Sequence, residues 1–104
     1  MKFRKKPVVI EAVQLTWANW SEICEFVPEP WFVRGVWLDA EGKPRPEHEF
    51  GAGRSDAELG LIMQTLESQE FLAQGGDWII KGVKGEFYPC KPDIFAATYE
   101  AVPA

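Results

Sequence analysis

The run WIIKGVKGEFY at residues 78–88 constrains the fold more than any other stretch of the chain. Trp78, Ile79 and Ile80 on one side, and Phe87 and Tyr88 on the other, are the β-branched and aromatic types that favour strands, with Lys84-Gly85 between them. Glycine reaches the positive φ that a tight turn demands, so the two flanks are predicted to fold back on each other as an antiparallel hairpin. A cover for it follows directly in the sequence. Pro92 suits a first helical turn and Asp93 places negative charge at its start, opening a helix whose Ile94, Phe95, Thr98 and Tyr99 share one face.

Upstream, PVVIEAVQL at residues 7–15 alternates imperfectly. Val8, Ile10, Ala12 and Gln14 fall on one face and Val9, Glu11, Val13 and Leu15 on the other, which predicts a strand partly covered on both sides. Asn19 with Glu22 three residues on has capping-box spacing, and Trp20, Ile23, Cys24 and Val27 form a helical stripe that Pro28 and Pro30 end. WFVRGVWL at residues 31–38 reads as a second strand, with Gly35 marking a bulge or a close packing approach. Residues 39–58, rich in Gly, Pro and acidic side chains, read as a long surface loop, either mobile or used for binding. The stretch after it fits two periods. Ser55 and Glu58 have capping-box spacing and Leu59, Ile62, Met63 and Leu66 a helical stripe, yet Ile62, Gln64 and Leu66 also alternate with Leu61, Met63 and Thr65, before a hairpin-like series that ends at Gly75-Gly76.

With 104 residues the chain suits a single domain, 1–104, since two cores cannot both be built from so little apolar surface. The net charge of −5 is uneven: Lys2, Arg4, Lys5 and Lys6 precede an acidic body. Phosphate backbones reward clustered Lys and Arg, so general nucleic-acid binding is disfavoured and the basic start reads as a solvated strand end. Cys24 and Cys90 make neither a CxxC pair nor a disulfide framework, which points to reduced thiols in a cytoplasm. Glu11 and Gln14 interrupt the apolar run after the basic start too early for an export signal or a membrane span.

Several residues invite a chemical role. Cys90 sits beside Lys91 near a helix start, where a thiolate could be favoured, but the sole histidine, His48, has no motif around it. Cys24 reads as a core thiol. Glu47-His48-Glu49 is sparse for a metal, the sixteen acids show no recognisable catalytic pair, and the glycines of Gly75-Gly76-Asp77 and Lys81-Gly82-Val83-Lys84-Gly85 match no phosphate-binding motif. No cofactor is expected. Those glycines read as turn residues, with Asp77 bonding nearby backbone amides. Most of the five tryptophans are expected in the core. Trp78 and Tyr88, on facing hairpin strands near Lys81, Lys84 and Lys91, define an aromatic and basic patch suited to an acidic protein or a small anionic ligand.

The opening MKFRKKPVVIEAVQL and the later GDWIIKGVKGEFYPCKPDIFAATYE together resemble a group of small proteins of unknown function encoded by bacteriophages and prophages. The likeness covers residues 1–15 and about 61–100. The latter half is also similar to bacterial domains with a Gly-Asp-aromatic step before a strand hairpin and a closing Phe-x-x-x-Tyr-Glu helix, here Gly76, Asp77, Trp78 and Phe95, Tyr99, Glu100. The resemblance implies a strand at 61–66 and a phage context in a bacterial host cell. It carries no activity.

The expectation is therefore an α+β domain, an antiparallel sheet with a C-terminal meander and the N-terminal strand added, packed against two short helices. Its expected role is that of an accessory protein that binds a host or phage protein or a small ligand without catalysis, with homo-oligomers formed through an open sheet edge. The alternatives are a small thiol-dependent enzyme using Cys90 and a structural component of the virion or its assembly machinery.

Overall fold

The computed structural model describes residues 1–4, 8–45, 55–65 and 69–102. Residues 46–54 of the expected surface loop lie outside that set, with Glu47, His48 and Glu49, as does Leu66. The fold is α+β. Among the described residues six strands and two short helices follow in the order β1 (Glu11–Gln14), α1 (Trp20–Phe26), β2 (Phe32–Trp37), β3 (Leu59–Gln64), β4 (Glu70–Gln74), β5 (Trp78–Lys81), β6 (Phe87–Cys90) and α2 (Pro92–Thr98). The strands divide between two antiparallel sheets of three, ordered β1-β5-β6 and β2-β3-β4. The C-terminal hairpin thus pairs with the N-terminal strand, and the middle of the chain builds a sheet of its own.

The hairpin forms where expected, with Trp78 opposite Cys90 and Lys81 opposite Phe87. Gly85 takes φ 82°, and its N–H closes the turn on the Gly82 carbonyl at 3.0 Å. Gly82 in turn donates to the Glu86 carbonyl at 2.7 Å. Between β4 and β5 the Asp77 N–H donates to the Gln74 carbonyl at 2.9 Å, and the Asp77 carboxylate accepts the Gln74 N–H at 2.9 Å. The second bond is the amide contact expected of Asp77, and it ties both ends of one turn. Gly76 stands inside it at φ 98°, a conformation that side-chain-bearing residues resist.

At residues 59–64 the strand alternation prevails over the helical stripe. The capping-box spacing from Ser55 to Glu58 yields only a single 3-10 turn, Asp56–Glu58, before β3 begins. Every residue of β3 from Leu59 to Met63 is buried, because both faces of this central strand are covered. Leu59, Leu61 and Met63 enter the main core, while Ile62 packs with Val36 and Leu38 on the other side.

The bulge in β2 falls at Val33, two residues before Gly35. Phe32 pairs with Met63 and Arg34 with Ile62, so Val33 is the extra residue. An extra residue shifts the side-chain alternation by one. That shift lets Phe32 and Trp37, an odd five apart, face the same core. Gly35 itself stays in register with Leu61.

The main core joins both sheets and α1: Leu15, Ile23, Val27, Trp37, Leu59, Leu61, Met63, Ala73, Ile79 and Phe87. Ile23 and Val27, four residues apart, aim α1 at this core. Cys24 does not join them. It is exposed, because the inward stripe of so short a helix is narrow and Cys24 lies one position beyond it. Asn19 precedes α1 as expected but leaves the first turn uncapped: its Oδ1 accepts from the Thr16 N–H at 3.0 Å and the Thr16 hydroxyl at 2.7 Å. Of the five tryptophans, Trp17, Trp20, Trp31 and Trp37 pack in or against the main core, and Trp78 lies outside it.

Candidate functional site

The pleat of β1-β5-β6 sorts its residues between two surfaces. Val13, Ile79 and Phe87 look into the main core. Ala12, Ile80 and Tyr88, aligned across the three strands, look the other way, together with Trp78 and Cys90. This outer face is the one α2 crosses. Phe95 lies flat on Trp78, ring centroids 4.3 Å apart and planes within 8°, and Tyr99 follows one helical turn later at 5.1 Å from Phe95. Pro92 at the helix start and Asp93 in its first turn act as the sequence predicts. Within the expected face Phe95 and Tyr99 are half-buried, while Ile94 and Thr98 are exposed.

Seven residues of helix cannot cover the whole outer face. Beside α2 an open groove of about 490 Å³ remains, walled by residues 8–10 and Ala12 on one side, by Tyr99, Glu100, Ala101 and Val102 on the other, with Trp78 and Phe95 between. Val8, Val9 and Val102 leave 49%, 76% and 66% of their surfaces in water, so the rim of this groove is apolar and wet. Among the described residues, Glu100 is the charged residue of its lining.

The expected aromatic and basic patch divides among separate places. Trp78 belongs to the groove. Tyr88 is half-buried on the same face; burial first, and then the hydrogen bond it shares with Tyr99, push its phenol up to about 12. Lys91, at the Trp78 end of the hairpin, is held by the fold: its Nζ meets Asp77 Oδ2 at 3.2 Å and Gln74 Oε1 at 3.1 Å. Asp77 is 3% exposed, so Lys91 supplies the countercharge that a buried carboxylate requires. Lys81 and Lys84 stand at the opposite end of the hairpin, both exposed. Lys81 is an odd number of residues from Trp78, so its side chain leaves from the other face of the sheet, directly across from Glu11 of β1.

The surroundings of Cys90 disfavour its thiolate. Burial raises its thiol pKa, and the carboxylates of Asp77 and Asp93 raise it further. Its Sγ lies 3.7 Å from the Lys91 carbonyl. A reactive cysteine needs an electropositive setting, and the adjacent lysine is turned to Asp77 instead. The exposed Cys24 thiol is raised as well, by its partial desolvation and then by Glu25. Among the described residues no group of three or more His, Cys, Asp or Glu is placed to hold a metal ion, and no helix is long and apolar enough to cross a membrane.

The patch expected from sequence shares Trp78 with this groove, whereas residues 8–10 and 99–102, which wall it, were not part of that patch. Val8 and Val9, expected within a strand over residues 7–15, lie ahead of β1, which starts only at Glu11, and Val102 lies past the end of α2. Compared with models of protein families, with curated proteins and with solved structures, the chain matches none.

Proposed function

We propose that this chain is a non-catalytic binding protein, an accessory protein of phage or prophage origin acting inside the bacterial host, and that its capture surface is the groove between β1 and α2. One observation carries the reading. Four tryptophans serve the core, and the fifth, Trp78, is spent on the outer face at the base of an apolar cleft whose rim stays in water. Apolar clefts of about 300–1,000 Å³ with aromatic walls are where proteins take up ligands and anchor side chains of partners. The phage setting rests on the resemblance read from residues 1–15 and about 61–100 alone, and the preference for binding over thiol chemistry on the surroundings of Cys90, where Lys91 is turned to Asp77 and the thiolate is disfavoured.

Affinity capture from host cells, quantified by mass spectrometry, tests this with paired variants. Val102→Glu puts a charge on the groove rim; Lys81→Glu with Lys84→Glu reverses the exposed end of the hairpin. A partner lost with the first variant and kept with the second supports the groove. A partner kept with the first and lost with the second moves the site to the hairpin lysines, and recovery of the Val102→Glu variant with its full set of partners removes the groove from the function.

A further inference from the structure

We propose that α2 is a hinged gate: it undocks from the β1-β5-β6 sheet as a unit while the rest of the fold stays intact, turning about Lys91, and the groove exists only while it is docked. The inference rests on the groove being the capture surface and names what controls it. α1 and α2 are both seven residues long and are held very differently. α1 places Ile23 in the main core, with Val27 at its C-terminal end, and both are at most 1% exposed. α2 has no buried residue: Phe95 is half-buried and the other six are exposed. A lone helix of this length does not persist in water, so contacts with the sheet are what keep α2 folded.

Those contacts are of two kinds. Phe95 lies on Trp78, and Tyr99, one turn further on, shares a hydrogen bond with Tyr88; all four residues are only half-buried. At the helix start the contact is ionic. Lys91, immediately ahead of α2, meets the buried Asp77 carboxylate at 3.2 Å and Gln74 Oε1 at 3.1 Å. Releasing Phe95 and Tyr99 exposes aromatic surface that water already reaches, whereas releasing Lys91 strands a buried charge. The start of the helix therefore stays in place when the remainder lifts. Pro92 has no N–H with which to bond the helix backbone to β6, so the pivot lies at the Lys91-Pro92 step. Lifting α2 carries residues 99–102, one wall of the groove, away from Trp78. A site present only in the docked state has its apparent affinity lowered by the undocked fraction, and whatever binds there holds the gate shut.

Native-state hydrogen exchange of the full chain at low urea concentrations separates the gate from the body. Its reporters are the amides of residues 95–99, among them the Phe95 N–H on the Lys91 carbonyl at 2.8 Å and the Tyr99 N–H on the Phe95 carbonyl at 2.9 Å. They are expected to exchange about a hundredfold faster than the amides of β3 and β5, and with little dependence on urea, because a local opening exposes little surface. Phe87→Ala weakens the inner face alone, so it is expected to speed exchange in β3 and β5 about a hundredfold and to leave residues 95–99 unchanged. Should that variant not fold, Ile79→Val makes the same comparison with a several-fold acceleration of the sheet. Phe95→Ala is expected to raise exchange at 95–99 about tenfold. Lys91→Met is expected to leave those rates as they are, since the ion pair is the same docked and undocked; acceleration there would remove the pivot. Exchange at 95–99 that matches β3 and β5 in rate and urea slope, or that rises in step with them in Phe87→Ala, would overturn the gate. That outcome leaves the groove standing as long as capture is lost with Val102→Glu, whereas capture indifferent to Val102→Glu removes the groove, and with it any role for the gate in binding.

Discussion

The two faces of the β1-β5-β6 sheet are built from the same strands and differ in almost everything else. On the inner face Ile79 and Phe87 are 0% and 4% exposed, closed in by the second sheet and α1, with Phe26 meeting the Phe87 ring edge-on at 5.4 Å. On the outer face Trp78, Tyr88 and Cys90 are only half-buried beneath a seven-residue helix. The contrast along β5 is not a strict alternation: Trp78 is half-buried on the outer face, Ile79 and Ile80 are both buried on opposite faces, and Lys81 is exposed. The difference teaches that a small domain leaves apolar surface in water where one layer is covered by an element too short to seal it.

Substitutions on the inner face are expected to have the largest effect. Phe87→Ala removes a closed-in ring and is expected to cost about 3–5 kcal/mol in urea unfolding, against less than about 0.5 kcal/mol for Val102→Ser on the groove rim. Equal costs would erase the contrast between the faces. Next comes the turn that joins the sheets: Asp77→Ala leaves the Gln74 N–H without its carboxylate and Lys91 without its partner, an expected loss of about 1–3 kcal/mol. Lys91→Met, at a side chain half in water, is expected to stay well below that. For the outer face, a double-mutant cycle on Trp78 and Phe95 should return a coupling of about 0.5–1.5 kcal/mol; none at all would mean that α2 is not held there by their stack.

The pH responses are smaller and sharpen the picture of the outer face. Tyr88 is an acid whose folded pKa, about 12, lies above the ordinary value of 10.0. The unfolded chain therefore ionises first, and the stability this residue contributes, complete below pH 10, declines as pH rises toward 12. Tyr88→Phe should flatten that alkaline limb in urea titrations, and in the parent the phenolate absorbance should show one of the two tyrosines titrating late. Both cysteines, with thiols raised above 9.0, should alkylate more slowly at neutral pH than an unperturbed cysteine and gain rate as the solution becomes alkaline. Fast modification of Cys90 at neutral pH would favour the thiol-enzyme reading over the binding one.

Much of the fold was legible where neighbours along the chain decide it. The Gly85 bend, the Asp77 turn, the Pro92 helix start and the strand character of β1, β2, β5 and β6 all follow from which φ values, donors and side-chain shapes adjacent residues allow. Position 33 was not legible, since the bulge there answers to the need of Phe32 and Trp37 to share a core with Met63 and Leu59, residues more than twenty positions away. Cys24 was misplaced for a related reason: a helical stripe states which residues are neighbours on a helix but not how wide a face the rest of the molecule will cover.

The candidate site divides along the same line. From sequence, Trp78, Lys81, Lys84, Tyr88 and Lys91 form one patch by proximity in the chain. In three dimensions Lys91 turns to Asp77, Lys81 leaves from the opposite face, and Trp78 is joined by residues 8–10 and 99–102 from the two ends of the chain. By itself the sequence determined the hairpin, its flanking turns and the closing helix, because those depend on backbone sterics and hydrogen bonds within a few residues. Only the tertiary structure decided the partition into two sheets, the face each tryptophan occupies and the walls of the groove, because packing joins residues as far apart as Glu11 and Lys81, and which distant pairs meet depends on the shape of the whole core.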